Sequence, residues 1–254
     1  MMRALRSHWP QYVMEAGGLA VFMISASTFG VLLEYPGSPG RRSIADPFAR
    51  RALMGVAMGL TAIALVYSPW GKRSGAHLNP SVTLAFLRLG RIKSPDAVFY
   101  VLAQFAGAIV GVFIAWALLG ARLANPPPRF VLTAPGMSGV AAAFAAEVAI
   151  SALLMLVVLT VSGSRFAPYT GLFAGALVAL YITFEAPLSG MSMNPARTFG
   201  SALAAGDTRA LWIYFTAPPL GMVAAASLYQ RIGKGLGCAK LYHPNDIHCI
   251  FCEE

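Results

Sequence analysis

Six long apolar runs and two short ones set the plan of the chain. The long runs cover about residues 11–33, 52–68, 97–119, 140–161, 169–186 and 210–229. An α-helix needs roughly 20 apolar residues to cross about 30 Å of hydrocarbon, so the pattern predicts six transmembrane helices. The short runs, 79–87 and 194–203, cannot span. Each opens on the same pair, Asn79-Pro80-Ser81 in the first and Asn194-Pro195-Ala196 in the second. Asn is a strong N-cap, and Pro suits the first helical position because its missing N–H is not needed there. Two half-helices are therefore predicted at membrane depth, with positive dipole ends and amide donors turned into a cavity.

The order of runs is span, span, half-helix, span, and then the same again. Glu15 and Asn79 in the first round correspond to Glu147 and Asn194 in the second. Each round crosses three times, so the second must be inverted, with a site at the repeat interface. The fold class is thus an all-α polytopic membrane protein, six spans plus two re-entrant half-helices in an inverted repeat. The predicted division is a first repeat over 1–124, a connecting loop over 125–138, a second repeat over 139–230 and a Cys/His tail over 231–254.

Composition agrees with that reading. The 254 residues are 57% apolar and 11% charged, with a mean hydropathy of +0.64, where a soluble domain carries about 25% charged residues. The net charge of +9 then points to loops facing anionic lipid and not to nucleic acid. Arg3 and Arg6 precede an apolar run too long for a signal peptide, so the first span is expected to stay. Lys and Arg are in modest excess on the face that carries the N-terminus, which predicts that face to be cytoplasmic.

Arg197 follows the second Asn-Pro pair directly, and an ionisable residue at membrane depth marks a functional site. The three cysteines all lie in the tail, so no disulfide framework is implied. Cys238, His243, Cys249 and Cys252 form a soft ligand set suited to a tetrahedral structural zinc, with His248 as a spare. The alternative is a reduced cytoplasmic tail with incidental thiols.

The runs Ser74-Gly75-Ala76-His77-Leu78-Asn79-Pro80-Ser81-Val82-Thr83 and Ser189-Gly190-Met191-Ser192-Met193-Asn194-Pro195-Ala196-Arg197 resemble the major intrinsic protein family, the aquaporins. Glu15, Glu147, Ala103 to Gly107 and Pro218-Pro219-Leu220-Gly221 support the resemblance, which covers about residues 12–229. It implies a passive channel and not an enzyme, with cytoplasmic termini, a homotetramer in the bilayer and no cofactor needed for transport. The resemblance makes Glu15 and Glu147 buried acceptors that tie down the connectors before the half-helices, and His77 a brace. It places an outer selectivity filter at Met58, Ile182, Met191 and Arg197. The first motif ends in Ser81 and not Ala, Thr198 stands where the glycerol-conducting branch commonly has Asp, and Ile182 replaces the His common in strict water filters.

Single-file water needs a line of backbone carbonyls against an apolar wall. The Gly-containing connectors offer the carbonyls of Gly75, Ala76, His77, Gly190, Met191 and Ser192, since bare backbone cannot face lipid. Asn79 and Asn194 would donate to a central water, and the two helix N-termini would repel cations and protons. The expected function is a water channel that excludes protons and ions and admits small neutral solutes. The alternative is a facilitator of glycerol, urea or neutral metalloids. An ion-coupled transporter would need a titratable chain, for which only Glu15, Glu147, Glu185 and His77 offer themselves. A structural adhesion protein with a closed pore is the third reading.

Overall fold

The computed structural model describes residues 1–233, 237–244 and 249–252. Among the described residues the chain is helical, with no strand. The main helices are α1 (Met2–Glu34), α2 (Pro47–Tyr67), α3 (Pro80–Arg88), α4 (Ser94–Leu119), α5 (Gly139–Ser162), α6 (Thr170–Phe184), α7 (Pro195–Ala205) and α8 (Leu211–Arg231). Six helices are long and apolar enough to cross a membrane. They are α1, α2, α4, α5, α6 with the short turn before it, and α8. The helices α3 and α7 are the two half-helices. Large apolar side chains such as Leu60, Leu102, Leu118, Phe184 and Leu220 lie exposed on the spans, which fits a lipid solvent.

Local chemistry sets the ends. Asp46 caps α2, accepting from Phe48 N at 3.0 Å and Ala49 N at 3.2 Å, with Pro47 at the first position. Gly206, at φ +63°, closes α7 in the left-handed conformation. One end differs from the sequence reading. The first helix begins at Met2 and not near residue 11, because the apolar pattern marks hydrocarbon depth and not helix length. Its extra turns are anchored where His8 Nδ1 and Tyr12 Oη lie 2.7 and 2.6 Å from Asp96 Oδ1. Beyond the second run, where the apolar pattern marks no element, a short helix covers Pro69–Ser74, capped by the Ser68 hydroxyl on Gly71 N at 3.0 Å.

The repeat is visible in the packing. Helix α1 packs on α4, and α5 packs on α8 in the same way; the middle spans α2 and α6 pack on each other across the repeat boundary. The half-helices cross over, α7 lying against α4 and α3 against α8. These contacts are close because small residues sit at them. A Cβ on Gly107 would come 2.1 Å from the Ala16 carbonyl oxygen, and one on Gly221 would come 2.4 Å from that of Val148. Gly107→Ala should therefore force α1 and α4 apart, with an expected cost of about 1–3 kcal/mol. Thermal unfolding in detergent should show a lowered midpoint for Gly107→Ala but not for Gly237→Ala, where an added Cβ meets nothing within 4 Å. Equal midpoints would contradict the close approach.

Candidate functional site: a pore between two half-helix starts

Each half-helix begins as its Asn-Pro pair dictates. Asn79 is extended at φ −157° and ψ 122°, and its Oδ1 accepts from Ser81 N at 2.8 Å. Asn194 is extended at φ −139° and ψ 103°, and its Oδ1 accepts from Ala196 N at 3.1 Å and Arg197 N at 3.2 Å. With both oxygens used as caps, the amide nitrogens point across the repeat boundary. Asn79 Nδ2 donates to the Met193 carbonyl at 2.7 Å, and Asn194 Nδ2 donates to the Leu78 carbonyl at 2.8 Å. One N–H of each amide, both expected to donate to pore water, is thus taken by the opposite connector. The physical reason is that the last carbonyl of each connector, where two half-helix starts meet, has no helical partner of its own. An amide NH₂ carries two protons, so one donor per Asn remains for the cavity.

The connectors are built alike. Gly75, Ala76 and Leu78 have φ of +93°, +54° and +49°; Gly190, Met191 and Met193 have +80°, +49° and +54°. Left-handed backbone at non-Gly residues costs of order 1–3 kcal/mol each, and it needs outside support. Buried carboxylates give it. Glu15 accepts from Ser74 Oγ (2.7 Å), His77 N (3.0 Å), Leu78 N (2.6 Å) and Gln104 Nε2 (2.8 Å). Glu147 accepts from Ser189 Oγ (2.7 Å), Ser192 N (2.7 Å) and Met193 N (2.8 Å). Both have no exposed surface. The sequence reading missed the rest of this scaffold. Ser74 and Ser189 each stand five residues before their Asn, and Tyr100 and Tyr214 donate to the carbonyls of Ser74 and Ser189 at 2.6 and 2.5 Å. Matched spacing from the two motifs was the signal that could have found them.

A cavity of about 560 Å³ runs between the repeats, from Glu34, Arg50 and Arg51 at one mouth to Val66 and Leu241 at the other. It is lined by Asn79, Asn194, Ala76, His77, Gly190, Met191 and Ser192, and by Met58, Ile182 and Arg197. Gly75 is not on it: its carbonyl accepts from Leu241 N at 3.1 Å. Arg197 Nη1 donates to Thr133 Oγ1, a residue of the 129–136 strap that the sequence did not single out. The cavity carries further charges, since Arg50, Arg51 and Glu34 also line it. Arg50 Nε donates to Glu34 at 3.1 Å, and Arg51 Nε donates to the Thr183 carbonyl at 2.8 Å. Among the other site residues, Pro80 and Pro195 are buried, as are Ala196 and Ser81, whose hydroxyl has no partner among the described residues. His77 braces its loop, with Nε2–H donating to the Ala239 carbonyl at 2.7 Å and Nδ1 3.1 Å from Thr83 Oγ1.

The tail cysteines converge. Cys238 Sγ lies 3.3 Å from Cys249 Sγ, and His243 Nε2 lies 3.1 Å from Cys252 Sγ. All four ligand atoms fall within 4.8 Å of one another. The hydrogen bond between them holds the Cys249 thiol below the ordinary thiol range, at about 4, and pushes that of Cys238 up. His248, the spare ligand, lies outside the described residues.

An all-helical membrane bundle threaded by a cavity between two facing half-helix starts has the architecture of a membrane pore. The chain belongs to the major intrinsic protein family, whose model matches residues 5–229, a family of passive channels and not of enzymes. It is 41% identical over 179 residues to rice (Oryza sativa subsp. japonica) aquaporin NIP1-3, a match that covers 70% of this chain and 60% of the rice protein's length. It is 31% identical over 229 residues to the probable aquaporin NIP7-1 of Arabidopsis thaliana, covering 88% of this chain and 77% of that protein. The aquaglyceroporin from Plasmodium falciparum shares the fold, with a TM-score of 0.71 at 22% identity over 89% of this chain and 97% of that one.

Proposed function

We propose that this protein is a passive channel for water that excludes protons and ions and also passes small neutral solutes. The reciprocal pair Asn79–Met193 and Asn194–Leu78 carries the reading. It fixes two half-helix starts against each other beside the cavity and leaves one amide donor on each. A water accepting from both must turn its protons outward, which breaks a proton wire, and two positive helix ends at that point repel cations. The wall opposite is apolar: Met58, Ile182 and Met191 form the filter with Arg197, and Met adapts to varied shapes. That wall supports a second reading in which glycerol, urea or another neutral solute is the main cargo.

Ion-coupled transport fits less well. Glu15 and Glu147 spend their oxygens on connector donors, and Glu185 is not on the cavity lining. The same proposal takes the repeats as 1–124 and 139–230, the termini as cytoplasmic, the assembly as a homotetramer in the bilayer and the tail cluster as a structural zinc site. Stopped-flow light scattering on proteoliposomes, with a metal chelator present, tests the function. Water permeability well above protein-free vesicles is expected, with smaller fluxes of glycerol and urea. Solute fluxes exceeding that of water would favour the second reading, and no flux of any of the three would sink both.

A further inference from the structure

Beyond α8, the described residues 237–244 and 249–252 lie back against the pore mouth. Leu241 N donates to the Gly75 carbonyl at 3.1 Å, and the Ala239 carbonyl accepts from His77 Nε2 at 2.7 Å. The Lys240 ammonium, buried, donates to the Lys72 carbonyl at 2.9 Å, a cation at a helix C-terminus. Phe251 stacks on His77 with ring centroids 5.6 Å apart and planes at 8°. The fit is close. Gly75 is left-handed, and a Cβ there would lie 3.0 Å from the Ala239 carbonyl oxygen. Leu241 lines the cavity beside Val66, Ala76 and Val158, and Ala239 and Cys249 have no exposed surface. So an apolar side chain stands in the mouth, and a carbonyl expected to serve passing water is occupied by the tail's own main chain.

The same segment carries its own staple. A piece of chain this short cannot bury enough apolar surface to order itself, and such pieces commonly rely on a metal. Tetrahedral zinc with bonds of about 2.0–2.3 Å sets its ligand atoms roughly 3.3–3.8 Å apart, close to the 3.3 and 3.1 Å separations of Cys238–Cys249 and His243–Cys252. Three thiolates with one imidazole are a common structural zinc set, and zinc would displace the thiol protons to solvent.

We propose that the tail is a metal-clamped plug: zinc on Cys238, His243, Cys249 and Cys252 holds Leu241 in the pore mouth, and loss of zinc releases it. This gate rests on the channel reading above and adds regulation to it. The test uses the full-length protein in proteoliposomes, with zinc counted by metal analysis and water flux by stopped flow. Zinc-loaded wild type should be slow, chelator-stripped wild type several-fold faster, and zinc should restore the slow state. Cys249→Ser/Cys252→Ser should be fast and indifferent to zinc. Leu241→Ala should be fast while still binding about one zinc per chain, which separates the plug from the metal site. Equal flux in loaded and stripped wild type, in vesicles that do conduct, would overturn the gate alone. A Cys238–Cys249 disulfide with no zinc bound would also overturn it. If Cys249→Ser/Cys252→Ser and Leu241→Ala fold but pass no water, glycerol or urea, the channel reading falls and the gate falls with it.

Discussion

Replacing Arg197 with valine is expected to keep water flux and to raise the leak of glycerol, urea and monovalent cations. The guanidinium faces the cavity with Met58, Ile182 and Met191 and is held by Thr133. It offers five donors and no acceptor, so in the proposed filter it would bind passing water and repel cations. A like charge about 4 Å away costs a cation about 4 kcal/mol at an effective dielectric of about 20. Removing it could lift cation passage by up to about three orders of magnitude. Arg51 at the same mouth and the two half-helix ends remain, so the rise should fall short of that bound. Ile182→Gly widens the same ring without touching charge and should raise neutral-solute flux alone. Flux assays with a cation-sensitive dye separate the two variants. Solute profiles matching wild type in both would place the constriction elsewhere.

Glu147→Ala should be the most damaging single truncation in the pore scaffold. It strips the acceptor from Ser192 N, Met193 N and Ser189 Oγ at once. Each buried donor left without a partner costs about 1–3 kcal/mol, and the left-handed Met193 loses the contact that holds it. The expected results are a sharp drop in folded yield from detergent extracts and, in any protein recovered, loss of water flux. Glu147→Gln keeps one acceptor oxygen and should fall between. The order wild type, Gln, Ala in both melting midpoint and permeability is the outcome to look for. An Ala variant as stable and as permeable as wild type would mean that the connector supports itself.

Much of this was legible in the sequence, because cap chemistry is local. Asn79-Pro80 and Asn194-Pro195 are strong helix starts, and their duplication with Glu15 and Glu147 implied the inverted repeat. What was not legible depends on distant partners. The amides bond carbonyls more than 100 positions away, |i−j| being 114 for Asn79 to Met193 and 116 for Asn194 to Leu78. The tail reads as polar and solvated because Ala239, Lys240 and Leu241 make too short a run to signal burial. Its seat is set by Gly75 and His77, the latter 162 positions upstream of Ala239. Gly75, expected on the pore, serves that seat instead.

In the proposed mechanism, two facing Asn donors let water pass and stop protons. Vesicles carrying the chelator-stripped protein and an internal pH dye, shrunk osmotically under an imposed proton gradient, test it in one trace. Fast shrinkage with a flat dye signal is the result expected. Internal acidification that depends on the protein and keeps pace with the water would contradict it.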